Sequence, residues 1–515
     1  MKVKKKKILI IALSAAAVLL LVSYFLFIAP LLKDAEAGPV ELDLMEGETR
    51  ISDMLSNFYI TPSVARSEIQ EIKVTSEDGS YRIFRNASDA FELEGYPGLT
   101  FDDMGFAGLI ANPVAQMRVA RDIAAEEFAQ YGLDYPIASR TITTTDGRVI
   151  TVNIGDAMLT GGGYYASVEG RNAVYIISAS SASYIIQPIE ALVKPLLLYG
   201  MTTSDYYLMD NFIVYRGEEP FVAVDRLSAD DAQTIDLALI YPLPDRGSRY
   251  YDVNIDMYLN SAYNLVELTG ESTAALVDGN GTLMEYGLLN PTYRIHFTFG
   301  GYNFALYVSN QQKDGSFYAI SNMTRYQIIA KIPAEKLSWL TKGEFNWIQP
   351  SSFYEAIVDV SRITLKSEAR GVEADFVLEH SSSAEDDTIL NVTDKISGTY
   401  IPNSDVANFR QYYLTLLNIT NSEYTTLSEE DREKLMSDDS RLILTMTTKL
   451  VNGEVNEYKF YEHYEASTGH LSGGKVLVVV NGIGEFYTSN DLVDKVINDV
   501  SRVLEGLDVD AYGHN

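Results

Sequence analysis

The sequence contains no cysteine. This excludes disulfide bonds, thiolate nucleophiles, zinc sites built from cysteine and iron–sulfur clusters. A lipoprotein signal is excluded as well, because it requires a cysteine after the apolar segment. The folded parts of the chain must therefore be held together by their hydrophobic cores alone.

Histidine is also scarce: the 515 residues include five, and none stands in His-x-x-x-His or His-Glu-x-x-His spacing. The sequence likewise lacks a Gly-x-Ser-x-Gly elbow and a phosphate-binding loop ending in Gly-Lys-Ser/Thr. We therefore do not expect a zinc hydrolase, a serine hydrolase or a nucleotide hydrolase. The spacing favours no carboxylate pair of the glycosidase type, so an envelope hydrolase is only the third functional hypothesis.

Calcium is the remaining cofactor candidate, because two segments carry oxygen ligands at alternating positions. These are Asp278-Gly279-Asn280-Gly281 and Asp508-Val509-Asp510. Neither completes the twelve-residue calcium loop with its closing glutamate. A tight turn and a part of the chain's tail are the simpler interpretations, and we expect no cofactor.

Basic residues are few relative to acidic ones, 40 against 71, which gives a net charge of −31 at pH 7. Six of the lysines precede the first acidic residue, Asp34, so the rest of the chain carries 34 basic against 71 acidic side chains. Nucleic acids and anionic lipid surfaces select basic faces, so neither is an expected ligand of this part. A hydrated, self-repelling surface is the plain interpretation.

One long apolar run is present, from Ile8 to Ala29, behind a cluster of lysines and before Pro30. As a helix it would be roughly 33 Å long, enough to cross the hydrocarbon core of a bilayer. The lysines favour a cytoplasmic amino terminus. We therefore predict a single-pass protein of the cell membrane, bound to the lipid bilayer through Ile8–Ala29, with an extracytoplasmic C-terminal region.

A cleaved signal peptide is the alternative, with Ala35-Glu36-Ala37 as its cleavage site. Its apolar core would be 7–15 residues long, shorter than this run. With a retained anchor, residues 1–32 form the basic tip and the membrane helix. Residues 33–48 then form a tether.

Local patterns recur in the same order along the chain, which favours repeated units over one large domain. Tyr131-Gly132-Leu133 returns as Tyr286-Gly287-Leu288, and the pattern over 69–77 returns over 360–368. We predict the α+β class: an N-terminal transmembrane helix followed by three diverged α+β repeat units with mainly antiparallel sheets. The predicted repeat units are residues 49–200, 201–350 and 351–515.

Turn residues and apolar spacing predict the main local elements. Asp146-Gly147 between alternating segments predicts a hairpin. The spacing of apolar residues predicts helices over Met104–Ile123, Ala182–Leu198 and Asp491–Leu507. We expect Pro113 to interrupt the first of these helices.

Five segments together resemble a known bacterial family, the domain of unknown function 4340. They are Tyr131–Pro136, Thr143–Arg148, Ile154–Asp156, Tyr164-Tyr165 and Val174-Tyr175. The likeness is best over residues 67–200 and looser over 200–345. It implies an N-terminal membrane anchor and an extracytoplasmic, repeated α+β region. Some members lie beside ABC transporter subunits, which implies an accessory role in transport or in the envelope. The family has no established activity, so the resemblance implies no catalytic residue.

The two tryptophans, Trp339 and Trp347, stand close together between the second and third predicted repeats. Core packing at that junction is one interpretation, and a stacking surface for a partner or a ligand is the other. They are the candidate site residues of the sequence; we predict no catalytic, cofactor-binding or metal-binding residue.

The leading functional hypothesis is a non-enzymatic, membrane-anchored extracytoplasmic accessory protein of an envelope complex. ABC transporter subunits or other envelope proteins are its expected partners. The alternative is a module that binds cell-envelope polysaccharide or peptidoglycan through its tyrosine-rich sheets.

Overall fold

The computed structural model describes residues 41–202, 209–226, 237–241, 251–381, 389–464 and 471–513. They form three sheets in which the strand pairs are antiparallel, together with short helices, so the predicted α+β class and antiparallel sheets are confirmed. The predicted span Ile8–Ala29 lies outside the described residues. Among the described helices, none combines the length and the apolar character that crossing a membrane requires.

The chain divides into two compact units. Compact unit 1 contains the residues up to 199 together with 268–291 and 306–333. Compact unit 2 contains 200–267, 292–305 and 334–515. The boundaries of the three repeats near residues 200 and 350 remain predictions.

The first sheet, of ten strands, lies in compact unit 1. Its strands are β1 Thr49–Arg50, β2 Phe58–Tyr59, β3 Ile69–Ser76, β4 Gly79–Arg85, β5 Phe91–Leu93, β6 Val114–Arg121, β7 Ala138–Thr144, β8 Val149–Ala157, β9 Gly163–Val168 and β10 Ala173–Ser178. Their spatial order is β1-β2-β6-β10-β9-β8-β7-β3-β4-β5. Two helices, α1 Asp103–Ile110 and α2 Ala179–Ile186, accompany them.

The strands between residues 210 and 332 are divided between the two compact units. Compact unit 2 holds β11 Asp210–Arg216, β12 Glu219–Arg226, β13 Leu237–Tyr241, β14 Tyr251–Asp252, β16 Tyr293–Phe299 and helix α3 Ile255–Leu265. The order of these strands is β14-β13-β12-β11-β16. Compact unit 1 holds β15 Ser272–Leu276, the end of β17 Tyr302–Val308, β18 Phe317–Ser321, β19 Ile328–Ile332 and helix α4 Asn280–Glu285, with the strands in the order β17-β18-β19-β15.

The last sheet, of nine strands, lies in compact unit 2. Its strands are β20 Val360–Ser367, β21 Val372–Ser381, β22 Ile389–Asp394, β23 Tyr400–Ile401, β24 Glu423–Tyr424, β25 Leu442–Leu450, β26 Val455–Tyr464, β27 Leu471–Val480 and β28 Ile483–Ser489. The helices are α5 Ala334–Leu337, α6 Ala407–Leu417, α7 Glu429–Met436 and α8 Asn490–Leu504. The spatial order is β23-β22-β21-β20-β25-β26-β27-β28-β24.

The strand order of the first sheet recurs in the last one. The run β5-β4-β3-β7-β8-β9-β10 corresponds to β22-β21-β20-β25-β26-β27-β28, and a helix follows the final strand in both. Strands β3 and β20, which hold the matching patterns at 69–77 and 360–368, occupy the same place in the two orders. The matches in the sequence therefore reflect a repeated topology.

The terminal helix α8 packs into the core of the last sheet, as its apolar stripe predicts. Ser489 caps its first turn by accepting a hydrogen bond from the Asp491 amide. Its buried stripe shares one core with residues of β21 and β27 and with α6; the stripe consists of Val493, Val496, Ile497, Val500 and Val503.

Two predicted helices are wrong over part of their length. Helix α1 ends at Ile110, and β6 replaces the rest of the predicted helix up to Ile123. Pro113 lacks an amide hydrogen and disfavours helical backbone at Asn112, so the chain leaves the helix there. Likewise α2 ends at Ile186, ahead of Pro188, and a 3₁₀ turn over Ile189–Leu192 follows.

Candidate functional site

Compact unit 1 contains an open groove of about 590 Å³, within the size range of ligand sites. We call it the Phe91 groove. It lies beside the start of α1, where the stretch around Phe101 runs next to the stretch around Val193. The Lys194 amide donates to the Thr100 carbonyl at 2.9 Å, and this pairing forms one wall of the groove.

Helix α1, which borders the groove, is held at both ends. At its start, the Asp102 carboxylate accepts a hydrogen bond from the Gly105 amide at 2.7 Å. At its end, the buried Arg140 guanidinium donates to the Leu109 and Ala111 carbonyls at 2.5 and 2.8 Å. Burial lowers the pKa of Arg140 to about 10, so the group stays charged at neutral pH and complements the negative end of the helix.

Three phenylalanines form the floor of the groove. Phe106 is buried, while Phe91 and Phe101 are half-buried and keep part of their rings accessible. The ring centroid of Phe106 lies 4.9 Å from that of Phe91 and 5.1 Å from that of Phe101. The half-buried rings of Phe91 and Phe101 therefore offer aromatic surface on which an apolar group can pack.

Two arginines contact these rings, and one of them is engaged in several hydrogen bonds within the chain. Arg85 lies 4.3 Å above the Phe91 ring and donates to the Ile69, Asp89 and Arg66 carbonyls and to the Asp89 carboxylate. The Arg66 guanidinium lies 4.9 Å from the Phe106 centroid and 5.7 Å from the Phe91 centroid. Among the described residues, it is not paired with a carboxylate.

The charges of the groove balance, which sets it apart from the acidic chain as a whole. Besides the two arginines it is lined by exposed Lys194, which has no carboxylate partner among the described side chains. The acidic lining residues are Asp89, Glu92 and Asp103. Asp89 pairs with Arg85 at 3.1 Å, and Glu92 accepts a hydrogen bond from the Asn86 side-chain amide at 3.1 Å.

A second polar arrangement, the Glu48 cluster, ties the amino-terminal segment to the first sheet. The Glu48 side chain is fully buried, pairs with Arg118 and accepts from the Tyr175 hydroxyl at 2.8 Å. Arg171 donates to that hydroxyl at 3.0 Å and to the Glu46 carbonyl at 2.7 Å. Burial raises the pKa of Tyr175 to about 12, so it stays protonated and donates to Glu48.

This cluster also bears on the predicted tether. Leu42, Leu44 and Met45 pack against the core of the first sheet. Residues 41–48 of the predicted tether are therefore attached to compact unit 1.

Trp339 and Trp347, the candidate partner surface of the sequence, lie in the core of compact unit 2. Each is 1% exposed. Their ring centroids are 5.9 Å apart in an edge-to-face arrangement, and both rings pack on Phe212. This is the core-packing interpretation of the pair. A stacking surface requires an exposed ring face, so we place the binding surface elsewhere.

The segments that carry the family resemblance are built for tight packing. Gly132 has a left-handed backbone, and an added Cβ there would lie 2.5 Å from the Asp156 carboxylate. An added Cβ on Gly155 would lie 2.3 Å from the Tyr131 carbonyl. The loop at 131–133 therefore packs directly on the end of β8, and only glycine fits at these two positions.

The calcium candidates form local hydrogen bonds. Asp278 accepts from the Thr282 hydroxyl at the start of α4, and Asp510 accepts from the Tyr512 amide. In the part of the chain that the structure describes, no three His, Asp or Glu side chains come close enough together to hold a metal ion.

The Phe91 groove was not found from the sequence. Its arginines and phenylalanines come from the 3₁₀ turn before β3, from β4, β5 and α1, and from the turn between β5 and α1, and Lys194 lies almost ninety residues further along. No spacing rule connects them. The only signal was compositional: two arginines and two phenylalanines lie within residues 82–91 of an acidic chain.

One stretch of the chain matches a known family model. Residues 109–203 match the model of DUF4340, a domain of unknown function, which confirms the predicted resemblance over that stretch. No curated protein matches the chain. No solved structure matches it either. The matching stretch contains β6–β10 and α2 and contributes Arg118, Arg171 and Tyr175 to the Glu48 cluster, whereas most of the groove precedes it.

Proposed function

We propose that this protein is a membrane-anchored, extracytoplasmic accessory subunit of an envelope complex, with an ABC-type transporter as its partner. It acts by binding, without catalysis. The Phe91 groove is the surface on which the partner docks. The groove carries this proposal, because it combines half-buried phenylalanine rings with arginine, residue types that are enriched at protein interfaces.

The Glu48 cluster supports the anchored arrangement. If Ile8–Ala29 crosses the membrane, the twelve residues from Pro30 to Glu41 separate it from the attached segment. Fully extended, they span at most about 40 Å. Compact unit 1 would then stay close to the membrane, within reach of the extracytoplasmic parts of a transporter.

Affinity purification of the tagged full chain from detergent-solubilised membranes tests the proposal. We expect transporter subunits to co-purify with the wild type. Phe101→Ala should reduce their recovery about tenfold or more, as expected for an aromatic residue at the centre of an interface. Tyr135→Ala is the matched control, because Tyr135 is 87% exposed and lies outside the groove.

Lys194→Glu repeats the test at an exposed position where folding is not at stake. Loss of the partners with Phe101→Ala and Lys194→Glu, but not with Tyr135→Ala, supports docking in the groove. A wild-type protein that purifies alone contradicts the proposal.

The second candidate function is binding of cell-envelope polysaccharide or peptidoglycan. A patch of four half-buried tyrosines in compact unit 1 favours it: Tyr286, Tyr307, Tyr318 and Tyr326. The rings of Tyr307 and Tyr326 stack at 5.4 Å, and Tyr326 has a left-handed backbone with φ of 59°. Such strain in a non-glycine residue is found preferentially at functional sites.

Sedimentation with isolated cell-wall material separates the two functions. Polysaccharide binding predicts that the wild type pellets with the cell wall and that Tyr326→Ala stays in solution. Accessory binding to a transporter predicts that neither protein pellets.

A further inference from the structure

We propose that the Phe91 groove binds a peptide segment of the partner in which a carboxylate stands next to an aromatic or large aliphatic side chain. This rests on the proposed function, because it takes the groove as the docking site for a protein. It adds the chemistry that the docked segment must have. Three features of the groove carry it: the floor, the free cations and the balance of charge.

The floor requires an apolar side chain. Phe91 and Phe101 are half-buried, and both rings contact that of buried Phe106. A bound apolar group would remove their remaining exposed area from water, and an aromatic ring would gain the preferred tilted or edge-on contact with the floor. A wholly polar segment would leave the floor uncovered.

The cations select a carboxylate. Arg85 already has hydrogen bonds to three carbonyls and one carboxylate, so it is a fixed part of the wall. The Arg66 guanidinium lies 4.9 Å from the Phe106 ring centroid, and Lys194 lines the same groove; within the described chain, both lack a carboxylate partner. An incoming carboxylate would be the first anion that either cation pairs with.

The balance of charge argues against a polyanion. Glu92 and Asp103 also line the groove, and the chain carries a net charge of −31. A nucleic acid or a run of acidic residues would be repelled by both. A single carboxylate beside an apolar group can pair with one of the two free cations and meets less of this repulsion than a polyanion would.

A photo-crosslinking peptide tests the assignment on the full chain. The probe is N-acetyl-aspartyl-(4-benzoyl)phenylalanine amide, which places a carboxylate beside an aromatic photo-crosslinker. The matched control probe has asparagine in place of aspartate. Mass spectrometry maps the labelled residues. We expect about fivefold more labelling between residues 91 and 106 with the aspartyl probe, since each exposed ion pair contributes modestly.

Variants show whether the two cations cause this preference. Arg66→Gln combined with Lys194→Gln should lower labelling by the aspartyl probe to the level of the asparaginyl probe. Arg121→Gln is the control, because Arg121 is exposed in the same compact unit, is paired with Asp43 and lies outside the groove. It should keep the full preference.

Three outcomes would overturn the assignment. Equal labelling by the two probes would mean that the cations select no carboxylate. Labelling outside the groove would mean that the site is elsewhere. Suppression of labelling by glycerol 3-phosphate, at concentrations where acetate has no effect, would identify a lipid headgroup as the occupant. The probe preference does not depend on co-purification, so a protein that shows it but purifies alone would refute only the transporter role.

Discussion

Replacing Glu48 with alanine should destabilise compact unit 1 far more than removal of an exposed carboxylate from the same segment. The Glu48 side chain has no exposed surface, and it accepts hydrogen bonds from Arg118, from the Tyr175 hydroxyl and from the Met45 amide. Its loss leaves the Arg118 guanidinium largely buried without a counter-charge. Breaking a buried pair in this way costs about 3–5 kcal/mol.

Asp43→Ala is the matched control. Asp43 pairs with Arg121, which lies on β6 like Arg118, but the two side chains are 78% and 51% exposed. An ion pair in water contributes about 0–1 kcal/mol, so this variant should be nearly neutral. The two substitutions therefore differ in burial while sharing the segment, the strand and the charge removed.

Hydrogen exchange of the full chain measures both effects locally. Amides of β6 and β10 should lose about 3 kcal/mol or more of protection in Glu48→Ala and less than about 1 kcal/mol in Asp43→Ala. The double variant Glu48→Ala with Arg118→Ala should lose less stability than the sum of the two single variants. Each single change leaves the other charged group buried without a partner, whereas the double change removes both groups. Similar losses in both single variants, or additive losses in the double variant, would refute a buried Glu48–Arg118 pair.

Three further predictions concern other parts of the chain. Val500→Asp places a charge at a position in α8 with no exposed surface and should lower the free energy of unfolding by about 4 kcal/mol or more. Hydrogen exchange should become faster throughout the last sheet and not in residues 41–199, and a loss of protection in both regions would contradict this. The pKa of Tyr175 is raised by burial from 10 to about 12, so its contribution to stability is fully present below pH 10 and is lost as the pH rises to 12. In Tyr175→Phe the free energy of unfolding should therefore depend less on pH between 10 and 12, and an unchanged pH dependence would contradict the burial. Both tryptophans are 1% exposed, so acrylamide should quench their fluorescence weakly in the folded chain and strongly after denaturation; strong quenching before denaturation would contradict the core packing.

Residues that are close together in the sequence were sufficient to predict the strands and helices whose ends are marked by turn residues. Asp146-Gly147 does join β7 to β8, and the apolar stripe of α8 does face the last sheet. In both cases residues close in sequence determine the outcome. The recurrence of local patterns, such as 69–77 in 360–368, was visible for the same reason, whereas the strand order that the copies share was seen only in the structure.

Long-range contacts decided the parts that sequence reasoning missed. The apolar residues over Val114–Arg121 fit a helix, but pairing with β10 makes the segment a strand. Glu48 and Arg118 lie 70 residues apart, and no local pattern predicts that they pair. The groove combines Arg66, Phe106 and Lys194 only after the turn before β3, helix α1 and the stretch before residue 196 have packed together.

Photo-crosslinking in intact cells tests the central claim, docking in the Phe91 groove, most directly. A 4-benzoylphenylalanine placed at Thr100, an exposed residue that lines the groove, should form a crosslink to a transporter subunit or another envelope protein. The same group at Val149, which is 62% exposed in the same compact unit and lies outside the groove, should not. Crosslinking from Val149 alone, or equal crosslinking from both positions, would contradict the account.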